Sequence, residues 1–424
     1  MTEGFRHAIA INADKCVGCV RCMTACPTRA IRVREGQARV LNHLCIDCGE
    51  CIRFCPYNAI DSRTTSFSDM NAFKYKVAIP ATVLYGQFGN AVMPNEILAA
   101  LRRAGFDYVY ELSTLCELHT GAFDEYLVQH PRPRPLISTT CPVVVRLIQR
   151  SYPSLVELLV PMEPPREVAA KILRSTLPSS LNLKPEEIGI IHITPCPAKI
   201  VSINDPLTMH RSNLDGAISI RDIFPPTFRA LRQNERDAIM HHLFPETVIS
   251  GLGIGWSLSG GETRGLRDHR TVAVSGVRDT IHVLDQVEAG LLKDLDFLEC
   301  MVCPDGCVGG PLAVENRFVA KSRILRLINL AGEKSAHARP EDSIQFHKNF
   351  LSFQQPIPPA QPPLLDSDPV KAIQMAAQRD EISRRLPRKD CGACGAPDCR
   401  TLAEDIVRGW ARFEDCPFMG KEAS

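Results

Sequence analysis

The stretch LECMVCPDGCVGG, residues Leu298–Gly310, contains the cysteine and glycine pattern that is most informative about this chain. Its two cysteines nearest the turn, Cys303 and Cys307, lie four residues apart across a Pro-Asp-Gly sequence, and two glycines follow. Two thiolates at this spacing can ligate neighbouring irons of one inorganic cluster. Glycine has no Cβ, so it lets the backbone approach such a bulky group closely. The stretch therefore indicates a metal centre.

Two further cysteines stand far upstream in similar surroundings. Cys141 lies in a Thr-Cys-Pro triplet and Cys196 in a Pro-Cys-Pro triplet, with Lys199 three residues beyond the second. A short apolar run that predicts a strand precedes each cysteine: Leu136–Ile137 before Cys141, Ile188–Ile193 before Cys196 and Leu295–Leu298 before Cys303. Open α/β sheets place their ligands at the carboxyl ends of strands. We therefore expect these chain-distant cysteines to converge on one crevice.

The composition limits the class of protein. The 424 residues suffice for roughly two to four domains. A formal net charge of +1 gives no reason to expect nucleic acid or an anionic membrane surface as a partner. The N-terminus has no apolar leader and no later run reaches spanning length, so we expect a soluble, cytoplasmic protein. Without an export signal, the 18 clustered cysteines indicate metal ligands rather than disulfides.

The same cysteine pattern occurs twice near the N-terminus. Residues 16–27 read CVGCVRCMTACP and residues 45–56 read CIDCGECIRFCP, both with the spacing C-x2-C-x2-C-x3-C-P. In this ferredoxin spacing three cysteines hold one [4Fe-4S] cube and the fourth crosses to the other cube. Structural zinc is the alternative, but it uses pairs of C-x2-C and does not need the third cysteine. We predict one cube on Cys16, Cys19, Cys22 and Cys55, and a second on Cys26, Cys45, Cys48 and Cys51.

Another cysteine group lies near the C-terminus, beyond a run of prolines. Residues 391–399 read CGACGAPDC and precede a predicted helix over Arg400–Arg412, after which Cys416 follows. Four thiolates on a short helical hairpin can close a [4Fe-4S] cube, with tetrahedral zinc as the alternative. The pattern resembles the small iron-sulfur domain of several anaerobic electron-transfer proteins. The predicted ligands are Cys391, Cys394, Cys399 and Cys416.

Shifts in composition divide the chain into four parts. We expect a ferredoxin domain over residues 1–70, a central domain over 71–345, a proline-rich linker over 346–370 and a C-terminal iron-sulfur domain over 371–424. In the central part, Lys76–Ile79 and Asp107–Tyr110 predict strands and Pro94–Ala104 predicts a helix. The glycine-rich run Ser250–Gly265 lacks the G-x-G-x-x-G order of a nucleotide cradle, so a loop that passes close to another group is favoured.

The region from Lys76 to about Arg323 resembles the catalytic domain of the iron-only, or [FeFe], hydrogenases. That family holds an H-cluster, a [4Fe-4S] cube joined through cysteine to a two-iron site with CO, cyanide and a bridging dithiolate. Its ligands lie on T-S-C-C-P, M-P-C-T-A-K and E-x-M-A-C-P-G-G-C loops. The resemblance implies that the cube is ligated by Cys141, Cys196, Cys303 and Cys307, and that Cys307 also forms the bridge.

The same resemblance implies further site residues and a fold. Lys199 stands where the family keeps a lysine beside cyanide, and a buried ammonium needs such an anionic partner. Met301 matches a methionine near the two irons, with ordinary packing as the alternative. Ser259–Glu262 resembles a T-G-G-V-x-E segment of the same domain. We expect an α/β core of two doubly wound halves with the active site between them, an N-terminal α+β ferredoxin-like domain and a small C-terminal helical Fe-S domain.

The chain departs from the family at the proton route. Thr140 replaces a free cysteine that delivers protons in hydrogen-producing enzymes, and a hydroxyl is a poor acid at neutral pH. In an ungapped register two glutamates of that route fall on Phe123 and Tyr126, and Glu117 or Glu125 could serve instead. The cysteines left without a cluster are Cys116 and Cys300. Cys116 and His119 together offer a replacement proton relay, with ordinary packing as the alternative. Cys300 offers a thiol near the cluster, again with ordinary packing as the alternative.

These features predict a protein that interconverts H2 with protons and electrons. Members of the family that lack the proton-delivering cysteine and carry an extra C-terminal cluster resemble sensory hydrogenases. We therefore expect low turnover, as a hydrogen or redox sensor, with a redox protein or a signalling protein as partner. The alternative is an electron-transfer protein that keeps the central cube without the two-iron site.

Overall fold

A computed structural model describes residues 7–234, 249–332, 350–360 and 364–419. Its strands are β1 (Ile9–Ile11), β2 (Ile31–Arg34), β3 (Gln37–Val40), β4 (Ile60–Ser62), β5 (Tyr75–Pro80), β6 (Tyr108–Val109), β7 (Leu136–Ile137), β8 (Ile188–Thr194), β9 (Gly216–Ser219), β10 (Thr271–Ser275) and β11 (Phe297–Met301). Its α-helices are α1 (Arg21–Ala25), α2 (Glu50–Phe54), α3 (Phe67–Met70), α4 (Pro94–Arg103), α5 (Ser113–Gln129), α6 (Pro142–Ser151), α7 (Pro165–Leu181), α8 (Pro197–Asn204), α9 (Ile220–Asn234), α10 (Gly251–Gly255), α11 (Val277–Glu288), α12 (Arg317–Ala331), α13 (Pro369–Arg385) and α14 (Cys399–Val407).

The chain divides into two compact units. The central unit contains residues 64–359, and the other unit combines residues 6–63 with residues 360–424. The sequence predicted the two terminal regions as separate domains; the structure joins them into one unit. No helix of the described ranges has the length and apolar character that a membrane crossing requires.

Two parallel sheets form the central unit. One has the strand order β6-β5-β8-β9 and the other the order β10-β11-β7. The strands β8 and β11 are buried along their whole length, as expected where helices cover both faces of a parallel sheet. The predicted α/β core with a parallel sheet is thus confirmed, and the predicted strands coincide with β5, β6, β7 and β8. The strand β11 begins and ends later than predicted, so it includes Glu299 and Cys300.

Two of the predicted cysteines lie where a strand passes into a helix. Cys141 is the N-cap of α6 and Cys196 is the N-cap of α8, and proline occupies the first turn in both helices. Proline suits this position because its fixed φ fits a helix and its missing N–H has no partner there. The Cys-Pro pairs therefore place a thiol at the carboxyl end of β7 and of β8.

Part of the expected linker packs on the central unit. Ser352 forms an antiparallel bridge with Met162, and the backbone N–H groups of Gln354 and Gln355 donate to the Thr208 carbonyl at 2.9 and 3.0 Å. Residues 350–359 therefore belong to this unit. The remainder of the expected linker includes residues 346–349 and 361–363, which lie outside the described ranges.

The second unit consists of short strands and helices around the cysteines. The strands β1 and β4 pair antiparallel, as do β2 and β3, while α1 and α2 carry the middle of each cysteine repeat. The helices α13 and α14 form the expected hairpin. The helix α14 ends before the predicted Arg412 because Gly409, with φ of 73°, takes the left-handed conformation that terminates helices.

Candidate metal centres

The three central cysteine loops contact one another directly. The Val302 backbone N–H donates to the Cys141 sulfur, which joins the first loop to the third. The Leu312 N–H donates to the Pro195 carbonyl at 3.0 Å, which joins the third loop to the second. A Cβ on Gly310 would lie 2.6 Å from the Pro195 Cβ, so only glycine permits this approach. The convergence predicted from strand ends is therefore present in the backbone.

The glycine-rich run packs against the same loop. Gly306 has a φ of 95°, and a Cβ there would lie 2.5 Å from the Ser259 nitrogen. The Ser259 N–H donates to the Asp305 carbonyl at 3.1 Å, and the Val308 N–H donates to the Ser257 carbonyl at 3.2 Å. The run is thus a loop that passes close to the cysteine turn, as favoured from the sequence.

A pocket of about 450 Å³ opens beside these loops. It is lined by Ala81, Thr82, Val83, Leu112, Cys116, Thr140, Pro165, Arg166, His192, Lys199, Trp256, Ser257 and Cys307. These residues come from both sheets and their connections, so the pocket lies between the two halves of the central unit. It brings together three predicted site residues: Thr140, Lys199 and Cys307.

The donor set suits a cationic iron cluster. Burial raises the pKa of the Cys196 thiol to about 11, although the nearby Lys199 lowers it, and negative charge on Cys141 and Cys307 raises it further. A metal cluster stabilises thiolates that burial alone would leave protonated. Cys303 lies in the same turn as Cys307, where its carbonyl accepts from the Gly306 N–H at 3.1 Å.

Met301 and Cys300 are placed differently from the pocket residues. Met301 is buried at the end of β11, where its carbonyl accepts from the Gly276 N–H at 2.9 Å, and it is absent from the pocket lining. Cys300 is also buried in β11, and burial with the neighbouring Cys141 raises the pKa of its thiol. Neither side chain lines the pocket, which agrees with the packing alternative for both.

The pair Cys116 and His119 does not act as one unit in the structure. Cys116 lines the pocket. His119 turns away, with Nδ1 2.9 Å from the Leu115 carbonyl and Nε2 3.0 Å from the Glu163 carbonyl. Phe123 stacks on Trp256 at 5.8 Å between ring centroids. The nearby Glu125 accepts from Gln129 at the surface, at 2.9 Å.

Two buried carboxyls, neither of which the sequence analysis selected as a proton carrier, lie in the glycine-rich run and in β11. The Ser138 and Thr140 hydroxyls lie near the carboxyl of Glu262 and lower its pKa against the larger effect of burial, while its Oε2 has no hydrogen-bond partner among the described residues. Glu299 accepts from the backbone N–H groups of Gly260 at 2.7 Å and Glu262 at 3.0 Å. Burial raises the pKa of both carboxyls, and the charge of Glu299 raises that of Glu262 further. A signal was present, since Glu299 is a charged residue inside a strand that is otherwise apolar.

The ferredoxin cysteines fall into two groups. Burial and then the charges of Cys16, Cys19 and Cys55 raise the pKa of Cys22, whereas burial and the charges of Cys51, Cys26 and Cys45 raise that of Cys48; Cys51 is affected by Cys22 as well as by Cys45 and Cys26. A cavity is lined by Cys26, Cys45, Cys48 and Cys51, the four cysteines predicted for the second cube. The assignment of ligands to the two clusters stays a prediction.

Backbone amides point at the sulfurs of this region in the same way in both repeats. The Ala30 N–H donates to Cys26 at 3.2 Å, and the Ala59 N–H donates to Cys55 at 3.3 Å, each four residues after the cysteine. Hydrogen bonds to cysteine sulfur are one means by which proteins set the potential of an iron-sulfur cluster. The arrangement thus fits two clusters related by the repeat.

The four C-terminal cysteines also surround one space. A cavity of about 280 Å³ is lined by Cys391, Cys394, Cys399 and Cys416. Within the described ranges, no three His, Cys, Asp or Glu side chains are arranged to hold a single metal ion.

Buried ion pairs fix this region to the ferredoxin strands within the same unit. Arg32 donates to both carboxylate oxygens of Asp405 at 2.6 and 3.0 Å, and Arg34 pairs with the same carboxylate at 3.1 Å. The Val33 N–H donates to the Gly395 carbonyl at 2.9 Å. These contacts hold the C-terminal cysteines beside β2.

Comparison with known families agrees with this geometry. Residues 74–227 and 259–311 match the family described as iron only hydrogenase large subunit, C-terminal domain. The chain is an iron-only hydrogenase-like protein. A 4Fe-4S dicluster domain matches residues 8–56, and an Fe-S cluster domain matches residues 386–418. This hydrogenase-like protein therefore has an N-terminal ferredoxin-like domain and a C-terminal Fe-S domain.

Its similarity to individual hydrogenases is distant. The periplasmic [Fe] hydrogenase large subunit of Nitratidesulfovibrio vulgaris is 25% identical over 363 residues, which are 72% of this chain and 86% of the relative. Iron hydrogenase 1 of Clostridium pasteurianum is 22% identical over 315 residues, 61% of this chain and 53% of the relative, so the match spans about half of that protein. A solved [FeFe]-hydrogenase HydA1 variant from Chlamydomonas reinhardtii has a TM-score of 0.49 and 18% identity, covering 70% of this chain and 97% of the other.

Proposed function

We propose that this hydrogenase-like protein binds an H-cluster and interconverts H2 with protons and electrons at low turnover, as a hydrogen or redox sensor. The observation that carries the proposal is the convergence of three cysteine loops on one pocket that also contains Lys199. Cys141, Cys196, Cys303 and Cys307 would hold the cube, and Cys307 would bridge to the two-iron site. When bound, that site with its CO, cyanide and dithiolate ligands would supply the activation of hydrogen.

Lys199 would anchor the anionic side of the cofactor. Its side chain is buried, and no carboxylate of the described residues lies within ion-pair distance of its ammonium group. A buried ammonium without a counter-ion is costly, and an anionic ligand would offset that cost through a charge-assisted hydrogen bond. The pocket therefore favours an anionic occupant.

Proton transfer would be carried out by Thr140, Glu262 and Glu299. The raised pKa of Glu262 allows its carboxyl to hold a proton near neutral pH, which an ordinary glutamate does not do. The Thr140 hydroxyl can accept that proton only while it donates its own, because its own pKa is very high. This relay replaces a thiol that titrates near neutral pH, and the replacement agrees with slow turnover.

The remaining clusters would carry electrons to a redox or signalling partner. The cysteines that would hold the two ferredoxin clusters and the C-terminal cluster belong to one unit, and the ion pair of Arg32 with Asp405 fixes the C-terminal region against β2. A fixed position beside the ferredoxin clusters suits electron exchange between them. A cytoplasmic location remains part of the proposal, and one relative is named as periplasmic.

The experiment compares the rate of hydrogen turnover by the natural protein, loaded with its two-iron cofactor, with the rate of the Thr140→Cys variant loaded in the same way. We expect the natural protein to be slow, and the substitution to raise turnover about tenfold or more because it supplies an acid that titrates near neutral pH. Ser154→Cys, at an exposed position of the central unit, is the control for adding a thiol. Turnover in the natural protein equal to that of hydrogen-producing enzymes would rule out the sensory reading.

A further inference from the structure

The pocket has a second cationic side chain besides Lys199. Arg166 is the second residue of α7, it is buried, and it lines the pocket together with Lys199 and His192. No motif in the sequence singled it out, because it follows only an undistinguished Pro-Pro pair.

Part of the Arg166 guanidinium has no partner among the described residues. Its Nη2 donates to the Ser202 hydroxyl at 3.0 Å, but its buried Nε has no hydrogen-bond acceptor. The adjacent carboxylate of Glu167 is already engaged, since it accepts from the Ser212 hydroxyl at 2.8 Å and from the Asn213 N–H at 3.2 Å. A buried N–H of a charged group without an acceptor is costly unless a ligand provides one.

The protonation state of His192 decides how many charges line the side of the pocket that Arg166 and Lys199 share. Its Nδ1 lies 2.8 Å from the Ile79 carbonyl, which can only accept, so Nδ1 carries the proton. Its Nε2 is then a lone pair, and it has no partner in the part of the chain that the structure describes. Burial, with Lys199 and Arg166 nearby, lowers the pKa of His192, so the ring stays neutral. The wall therefore carries two cations, with a neutral acceptor beside them.

Neither Arg166 nor Lys199 forms an ion pair with a carboxylate of the described residues, although the charges of Glu167 and Glu163 act on Arg166, so the pocket favours a negatively charged occupant. We propose that Arg166 is a second anchor for the anionic two-iron cofactor, and that its Nε would donate to an anionic ligand of that cofactor at a point other than the one Lys199 would hold. This inference rests on the proposed function.

The test compares Arg166→Gln and Arg166→Lys with the natural protein after loading with the two-iron cofactor. Arg166→Gln is expected to shift at least one cyanide stretching band and to weaken cofactor retention about tenfold, the effect of losing one charge-assisted hydrogen bond. Arg166→Lys keeps the charge but not the planar donor, so it is expected to retain more cofactor than Arg166→Gln and still to shift the band. Thermal unfolding of the protein without cofactor is expected to be unchanged or improved in Arg166→Gln, because an unpaired buried charge is removed.

Arg146→Gln is the matched control. Arg146 is also a buried arginine, but its Nη2 already donates to the Asp205 carbonyl at 3.0 Å and it is absent from the cofactor pocket. Its substitution is expected to lower stability and to leave the cyanide bands in place. Natural cyanide bands and retention in Arg166→Gln would overturn the inference while leaving the proposed function intact. Absence of cyanide and carbonyl bands from the loaded natural protein would overturn the proposed function itself.

Discussion

The ferredoxin cysteines and the central cysteines are brought together by different means. In the N-terminal repeat, the spacing of each run is sufficient to predict both ligand groups, and the backbone N–H groups of Ala30 and Ala59 donate to sulfur at equivalent positions. In the central unit, Cys141 and Cys196 end strands of two different sheets, and only backbone contacts such as Leu312 to Pro195 bring their loops together. Local spacing specifies the first kind of site, and the topology of the whole unit specifies the second.

The largest effect is expected when a ligand of the central site, Cys307, is removed. Cys307→Ala removes the proposed bridge, so we expect loss of all cyanide and carbonyl bands and of hydrogen turnover. The ferredoxin clusters, whose ligands are local, should keep their electron paramagnetic resonance signals. The reciprocal variant Cys19→Ala should lose a ferredoxin signal and keep the infrared bands. Infrared bands of natural intensity in Cys307→Ala would show that the cofactor is held elsewhere.

A smaller effect is expected at the proton relay. Glu262→Gln keeps the size of the side chain but cannot carry a proton, so turnover should fall about a hundredfold, within the range of general acid-base effects, while the infrared bands of the bound cofactor remain. Glu125→Gln is the control, because this glutamate of α5 was, with Glu117, one of the two sequence-based substitutes for the family's proton carriers. A loss in Glu125→Gln with natural turnover in Glu262→Gln would reverse the assignment.

The smallest of these effects concerns the second unit. Asp405→Asn leaves Arg32 buried without its carboxylate, which is expected to destabilise this unit by about 3 kcal/mol. We expect altered magnetic coupling between the C-terminal and ferredoxin clusters, with unchanged infrared bands. Asp380→Asn removes an exposed ion pair with Arg379 on α13 and should cost less than about 1 kcal/mol. Equal stability of the two variants would contradict a buried anchor at Asp405.

The sequence predicted what local patterns encode. The spacing of cysteines and the apolar runs before Cys141 and Cys196 were sufficient to predict β7, β8 and the loops that follow them. Glu262 and Glu299 were missed because their importance depends on a contact between a glycine-rich loop and a strand interior. The contact of Arg32 with Asp405 was missed because the sequence around a charged residue on a short strand or helix does not indicate which residue it will pair with. Arg166 was missed for the same reason, since only the fold shows that it lines a pocket and that its Nε has no acceptor among the described residues.

The infrared spectrum of the matured protein tests the central claim most directly. Convergence of three cysteine loops and Lys199 on one pocket predicts cyanide and carbonyl stretching bands that shift when argon is replaced by hydrogen. A protein that carries its full complement of [4Fe-4S] clusters but shows no such bands would be an electron carrier, and hydrogen chemistry at this pocket would be contradicted.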